Sequence, residues 1–220
     1  MKKIVDTFNK AKSIIFDFDG VLVESLSIKD DAFLNCLKDY PKSYVDEFLT
    51  YHRQNGGKSR LEKFNYFFKH ILGKKVSEYE VLSLCQKFSD LVTNQVVQSP
   101  SVPGAEEVLS LLNARRTKVY IASGTPKIEL DLILQARGMT DFFTKVFGSP
   151  TSKITAIQKI MESNNLPPHD LLFIGDSICD FEAAFHLQVP YVARISRKDD
   201  SKMWEGLNVG VVKNLLSFIA

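Results

Sequence analysis

Four short apolar runs, at residues 13–16, 118–122, 171–174 and 191–195, are rich in β-branched or aromatic side chains and alternate with helical patterns. That βα rhythm is the pattern of a parallel sheet covered by helices on both faces, an α/β, Rossmann-like, doubly wound architecture. Weaker strands are expected at 145–147 and 209–212. Of the helices between them, 106–112 places Val108, Leu109, Leu111 and Leu112 on one broad face, and 126–137 opens with Thr125 as N-cap and Pro126 in its first turn. Segments 154–161 and 178–187 complete the set.

One gap breaks the rhythm. Between the first and second strands no convincing strand occurs, and 27–37, 45–52, 59–72 and 77–97 each carry apolar residues at helical spacing, as in Phe64, Phe67, Phe68 and Ile71. Gly56-Gly57 and Gly73 punctuate them. Four helices able to bury their own faces make a small bundle. The expected organisation is therefore an α/β core formed by 1–21 and 101–220, with an inserted α-helical cap at 22–100.

The chain has 220 residues, 45% hydrophobic and 25% charged, as in ordinary globular proteins. A formal charge of +2 supplies no field that would argue for nucleic acid or a membrane surface, so a small-molecule partner is expected. Cys36, Cys85 and Cys179 are odd in number and widely spaced, which points to neither a disulfide framework nor a zinc site. With no apolar run long enough for a signal or a span, a cytoplasmic monomer or homodimer is the expectation.

Polar residues concentrate where the strands end. Asp17 and Asp19 follow the first strand, Ser123-Gly124-Thr125 the second, and Gly175-Asp176-Ser177 a later one; Lys153 opens a helix after Ser149-Pro150-Thr151. In open α/β sheets ligands bind at that edge. Two like charges about 5 Å apart repel by roughly 3 kcal/mol at an effective dielectric near 20, so the Asp17/Asp19 pair calls for a cation. Bland readings stand beside the chemical ones. The aspartates could simply start a turn, Ser123 could lead into a capped helix, and Lys153 could be a solvated surface lysine, although a cation at a helix N-terminus opposes the macrodipole. Ser177 and Asp180 have capping-box spacing. Taken together, several carboxylates, one ammonium, a hydroxyl and glycine-associated N–H groups suit Mg2+ with a substrate phosphate. His52, His70, His169 and His186 are scattered and read as surface or packing residues rather than metal ligands.

At these residues the chain resembles the haloacid dehalogenase superfamily, in its phosphatase and beta-phosphoglucomutase-like branch with a helical cap. Asp17-Phe18-Asp19-Gly20-Val21 is similar to its DxDx[TV] motif, Ser123 to its strand-ending Ser/Thr, Lys153 to its phosphate lysine, and Gly175 through Asp180 to its GDxxxD motif. The family's dehalogenases lack the second aspartate, so Asp19 points to phosphate transfer.

The resemblance implies a Mg2+-dependent phosphatase acting on a small phosphorylated metabolite, a sugar phosphate or phosphoglycolate-like acid. Asp17 would be the nucleophile and Asp19 the acid/base, with Mg2+ held by Asp17, the Asp19 carbonyl and Asp176. Ser123, Gly124 and Lys153 would bind phosphate, with Asp180 supporting them. In the cap, Gly57-Lys58-Ser59-Arg60-Leu61-Glu62-Lys63 is similar to a GxSRxxS stretch that faces substrate in relatives, with Lys63 in place of the second serine. Arg60 and Lys63 are accordingly expected to reach an anionic leaving group. A phosphomutase using the same residues, and a phospho-accepting receiver of signalling type, are the alternatives; the latter has no need of a helical cover.

Overall fold

Every residue of β1 (Ser13–Phe16) is buried, which requires a sheet covered on both faces. The computed structural model describes residues 2–219, and of residues 198–200 the backbone alone. It places β1 centrally, paired in parallel with β2 (Lys118–Pro126) on one side and β4 (Leu171–Gly175) on the other. β3 (Lys145–Ser149) extends the sheet beyond β2, while β5 (Tyr191–Arg194) and β6 (Gly210–Val212) extend it beyond β4. The order β3-β2-β1-β4-β5-β6 reverses direction between β1 and β4. Ligands of such sheets bind outside the carboxyl ends of the strands at that switch point.

Successive side chains of each strand enter opposite layers. Ile14 and Phe16 join Val119, Ile121, Leu172 and Ile174 in one apolar cluster, whereas Ile15 joins Tyr120, Leu171 and Phe173 in another. The first layer is covered by α6 (Ala105–Ala114) through Val108, Leu109 and Leu112, and by α7 (Lys127–Ala136) through Leu130, Ile133 and Leu134. The second is covered by α8 (Lys153–Asn164) and α9 (Ile178–His186). A helix at Lys2–Lys10, α1, lies outside the expected set although Ile4, Val5 and Phe8 share one face of it; Phe8 is fully buried and stacked 4.6 Å from Phe218. Among the described residues no helix is long and apolar enough to cross a membrane, and all three cysteines are free.

Between β1 and β2 lie the four expected helices, α2 (Leu26–Cys36), α3 (Lys42–Gln54), α4 (Arg60–Tyr66) and α5 (Glu78–Gln98). The single helix expected at 59–72 is instead α4 followed by a π-helical turn at Phe67–Ile71. Ser59 and Ser77 start α4 and α5 with full capping boxes. Their apolar faces meet at Phe33, whose ring lies 5.2 Å from Phe48, 5.3 Å from Phe64 and 4.4 Å from Phe88. The connections out to and back from these helices run side by side: Val102 N–H donates to Leu22 O and Glu24 N–H to Pro100 O, each at 3.0 Å.

One expected boundary is corrected. Thr125 does not cap a helix beginning at Pro126; β2 continues through Ser123, Gly124 and Thr125, Pro126 is the N-cap, and α7 starts at Lys127. The reason is a competing partner, since the Thr125 hydroxyl donates to Asp19 Oδ2 at 2.8 Å instead of capping.

Phe33→Ala opens a void where four rings meet and is expected to destabilise the fold by about 3–5 kcal/mol, read as a lowered urea midpoint with an unchanged slope.

Candidate active site

Asp17 leaves the end of β1 and is 4% exposed. Its Oδ1 accepts the Phe18 N–H at 2.7 Å and its Oδ2 accepts from Lys153 Nζ at 2.8 Å. Lys153, the first residue of α8, also donates to Asp180 Oδ1. The expected capping box is present: Asp180 Oδ2 receives the Ser177 N–H at 3.0 Å and its hydroxyl at 2.6 Å. Asp180 is fully buried, so one carboxylate both starts α9 and holds the lysine that touches Asp17. The misplaced helix-terminal cation is thereby explained, because two buried aspartates outweigh the dipole.

Asp19 has a second set of partners. Its Oδ1 accepts from Ser25 Oγ at 2.7 Å; its Oδ2 accepts from Thr125 and from Lys29 Nζ, which also donates to Thr125 Oγ1 at 2.9 Å. The like charges of the aspartate pair call for a cation, and two lysines supply it, Lys153 to Asp17 and Lys29 to Asp19. Lys29 escapes sequence reasoning because a lysine in the first turns of a helix carries no distinguishing signal. Burial alone would raise the Asp19 carboxyl, but Lys29 and the hydroxyl donors hold it below its usual value.

Asp176 follows β4, directly across the switch point from Asp17. Its carboxylate accepts from Ser196 Oγ at 3.1 Å, and among the described residues no cation pairs with it. Carboxylate oxygens of Asp17, Asp176 and Asp180 lie within 4.8 Å of one another. Burial pushes Asp17 up to about 6, against the pull of Lys153, and pushes Asp176 well above the usual carboxylate range. Three buried carboxylates thus share one ammonium, and a hard divalent cation fits the deficit. Asp180 is committed to Lys153 and Ser177, which leaves the Asp17 and Asp176 oxygens for the ion. The Asp19 carboxylate lies outside this group, occupied by Lys29, Ser25 and Thr125.

Ser123 and Gly124 reach the same cavity from β2, and the helical segment closes over it. The space open to the centre of a water molecule is about 60 Å³. Gly57 lets the cover approach the strand ends: a Cβ on Gly57 would stand 2.7 Å from Ser177 Oγ and 3.1 Å from Lys153 Nζ, and one on Gly124 would stand 2.8 Å from Gly57 O.

The two cap residues expected to meet substrate differ from each other. Arg60 forks onto Glu129 of α7 at 2.9 and 2.6 Å, reaches Ser89 Oγ at 2.5 Å and lies 4.5 Å from the Phe88 ring centre, so its guanidinium is already matched. Lys63 Nζ lies 2.9 Å from His52 Nδ1 and 3.2 Å from Gly56 O. His52, expected as a surface or packing residue, is buried, lines the cavity, and contacts Asp30 Oδ1 through Nε2 at 3.0 Å. Burial, reinforced by Lys63, lowers His52 to about 3; burial opposes but does not prevent the lowering of Asp30 to about 2 by His52 and Arg197.

Similarity to known proteins places the chain in a family. The family model described as haloacid dehalogenase-like hydrolase matches residues 14–194. A phosphoglycolate phosphatase of Synechococcus elongatus is 25% identical over 175 residues, covering 79% of this chain and 78% of that protein. A phosphorylated carbohydrates phosphatase of Thermotoga maritima is 24% identical over 219 residues, covering 92% and 94%. Among solved structures, a hydrolase from Pseudomonas syringae superposes with a TM-score of 0.75 at 20% identity, covering 94% and 95% of the two chains, which bears on fold alone.

Gly57→Ala is expected to prop the cover off Lys153 and Ser177, lowering kcat/KM at least about tenfold with little change in melting temperature; steady-state kinetics beside a thermal melt separates the two effects. The buried histidine also makes stability depend on pH. Between about pH 6.5 and 3 the unfolded chain binds a proton at His52 that the folded chain refuses, so this residue's contribution is lost as pH falls, by up to about 1.4 kcal/mol per pH unit. Urea midpoints measured across that range should fall less steeply in His52→Gln than in the wild type.

Proposed function

Because the chain belongs to the haloacid dehalogenase-like hydrolases, in the branch that acts on phosphate monoesters, we propose that it is a magnesium-dependent phosphatase of a small phosphorylated metabolite. A sugar phosphate or a phosphoglycolate-like acid in the cytoplasm is the intended substrate class, and residues 22–100 act as a cap over a catalytic core of 1–21 and 101–220. The observation that carries this reading is the excess of buried carboxylate at the switch point, where Asp17 and Asp176 face each other with Lys153 as the nearby cation.

In this mechanism an Asp17 oxygen attacks phosphorus, the bond to the leaving oxygen breaks, and an aspartyl-phosphate forms; water then attacks that phosphorus and frees Asp17. Ser123, the Gly124 N–H and Lys153 bind the phosphoryl oxygens, and Asp180 keeps Lys153 aimed at them. The Asp17 carboxylate, the Asp19 carbonyl and Asp176 would hold magnesium, whose charge would offset repulsion between carboxylate and phosphate. Asp19 protonates the leaving oxygen in the first half and takes a proton from water in the second. With its carboxyl held below the usual range by Lys29, Asp19 stands ready as the base. To act as the acid it must take up a proton, which requires the Lys29 contact to loosen when substrate enters. The small cavity supports a short substrate.

The test is inorganic phosphate release from a panel of small phosphate esters, with magnesium and with EDTA, for the wild type and Asp17→Asn. Turnover that needs magnesium and falls at least about 10³-fold in Asp17→Asn is the expected result. Activity persisting in that variant removes the central claim. Isomer formation that needs a bisphosphate activator, without phosphate release, replaces the phosphatase by a phosphomutase.

A further inference from the structure

Cations crowd the cavity wall and its surroundings, and nearly all are matched by carboxylates of the chain itself. Lys29 pairs with Asp19, Arg53 and Arg197 with Asp30, Arg60 with Glu129, and Lys153 with Asp17 and Asp180. Lys58, half-buried, rests 5.5 Å from the Tyr51 ring centre. Lys63 differs from all of these. Its side chain is 3% exposed, yet among the described residues no carboxylate stands within ion-pair distance of its ammonium.

Its mounting is specific. Asp30 can only accept, so the His52 Nε2 that faces it carries the proton, and His52 Nδ1 is left to accept from Lys63. Asp30 is fixed in turn by Arg53 Nε at 3.1 Å and by Arg197 at 2.9 Å, and the His52 ring lies 4.5 Å from that of Phe33. With Gly56 O as a second acceptor, two of the three ammonium donors are used. The third is left for the cavity, which Lys63 lines together with Asp17, Ser123 and Asp176.

A buried ammonium without a counter-charge is costly, and here burial, followed by the nearby charges of Lys29 and Lys153, lowers it to about 7. An anion from the ligand would reverse that cost. The phosphoryl group belongs beside Asp17 and Lys153, so the anion that reaches Lys63 must lie on the other end of the substrate. Lys63 and Asp17 line one cavity, so a short spacer between the two ends suffices.

We propose that Lys63, mounted by the Asp30–His52 pair, is the receptor for a second anionic group of carboxylate size on the part of the substrate that departs from the phosphate. The proposal rests on the phosphatase reading for the place of the phosphoryl group. His52 and Asp30 are positioning residues within it, while Arg60 fastens α4 to α7.

The test compares two inert ligands by calorimetry in magnesium buffer: phosphonoacetate, with a carboxylate beside the phosphonate, and ethylphosphonate, without one. The wild type should bind phosphonoacetate at least about tenfold more tightly, the scale of one buried charge-assisted hydrogen bond. Lys63→Met should abolish the preference, and Lys63→Arg should keep part of it. Lys63→Met should melt no lower than the wild type, since it replaces an unmatched charge by an apolar chain; Lys63→Gln provides the same comparison should the methionine variant misfold. With 2-phosphoglycolate as substrate, His52→Asn should raise KM more than it lowers kcat. A preference that survives in both Lys63→Met and Lys63→Gln, or its absence from the wild type, overturns the proposal. A preference present and lost as expected in a protein that releases phosphate from no ester sinks the phosphatase reading and leaves the anion receptor standing.

Discussion

The ammonium of Lys153, shared between Asp17 and Asp180, is the interaction on which the rest of the site depends. Three elements meet through it: the end of β1, the start of α8 and the start of α9. Each is placed by the sheet, because β1 and β4 are neighbours at the point where strand order reverses. Without that ammonium, Asp17, Asp176 and Asp180 would face one another at close range in a buried site, an arrangement that ionised carboxylates do not tolerate. With it, one charge is still too few for three. The mounting of Lys153 and the capacity of the aspartates to hold a cation arise from the same imbalance.

Asp19 belongs to a different balance although it is only two residues away. Its partners come from the start of the helical segment, Ser25 and Lys29, and from the strand end at Thr125. The first helix of the cover is therefore part of the electrostatic environment of Asp19. The same helix carries Phe33, at the centre of the aromatic cluster. Packing among the four helices thus fixes where Lys29 stands, and the position of the cover and the protonation of Asp19 are physically linked.

The sheet and most of the core site were legible because their signals are local and repeated. Apolar runs that stop abruptly at Asp17, Ser123 and Gly175 mark strand ends, and the polar residues next in the chain gather along one sheet edge. Ser177 and Asp180 revealed their contact by spacing alone, as capping boxes do. The contacts that escaped were long-range. Lys29 and Thr125 are 96 residues apart in the chain, and Arg60 and Glu129 are 69 apart, so neither pairing leaves a periodic trace. The shifted start of α7 has the same origin, a tertiary hydrogen bond from Thr125 overriding a good local cap.

Arg60 and Lys63 show how much the surroundings add to residue type and position. They lie one helical turn apart on α4, both basic, both buried, in a stretch whose resemblance suggested one shared role. Their chemistry separates them. A guanidinium offers a rigid fork, and Glu129 presents both oxygens to it, giving a matched pair that ties the cover to the core. An ammonium is a point charge with three rotatable donors, and Lys63 spends two on neutral acceptors, a ring nitrogen and a carbonyl. Neutral partners orient the group without cancelling its charge. The arginine is therefore suited to fastening the cover, and the lysine beneath it lacks a carboxylate partner among the described residues, the place that a second anionic group on the substrate would take.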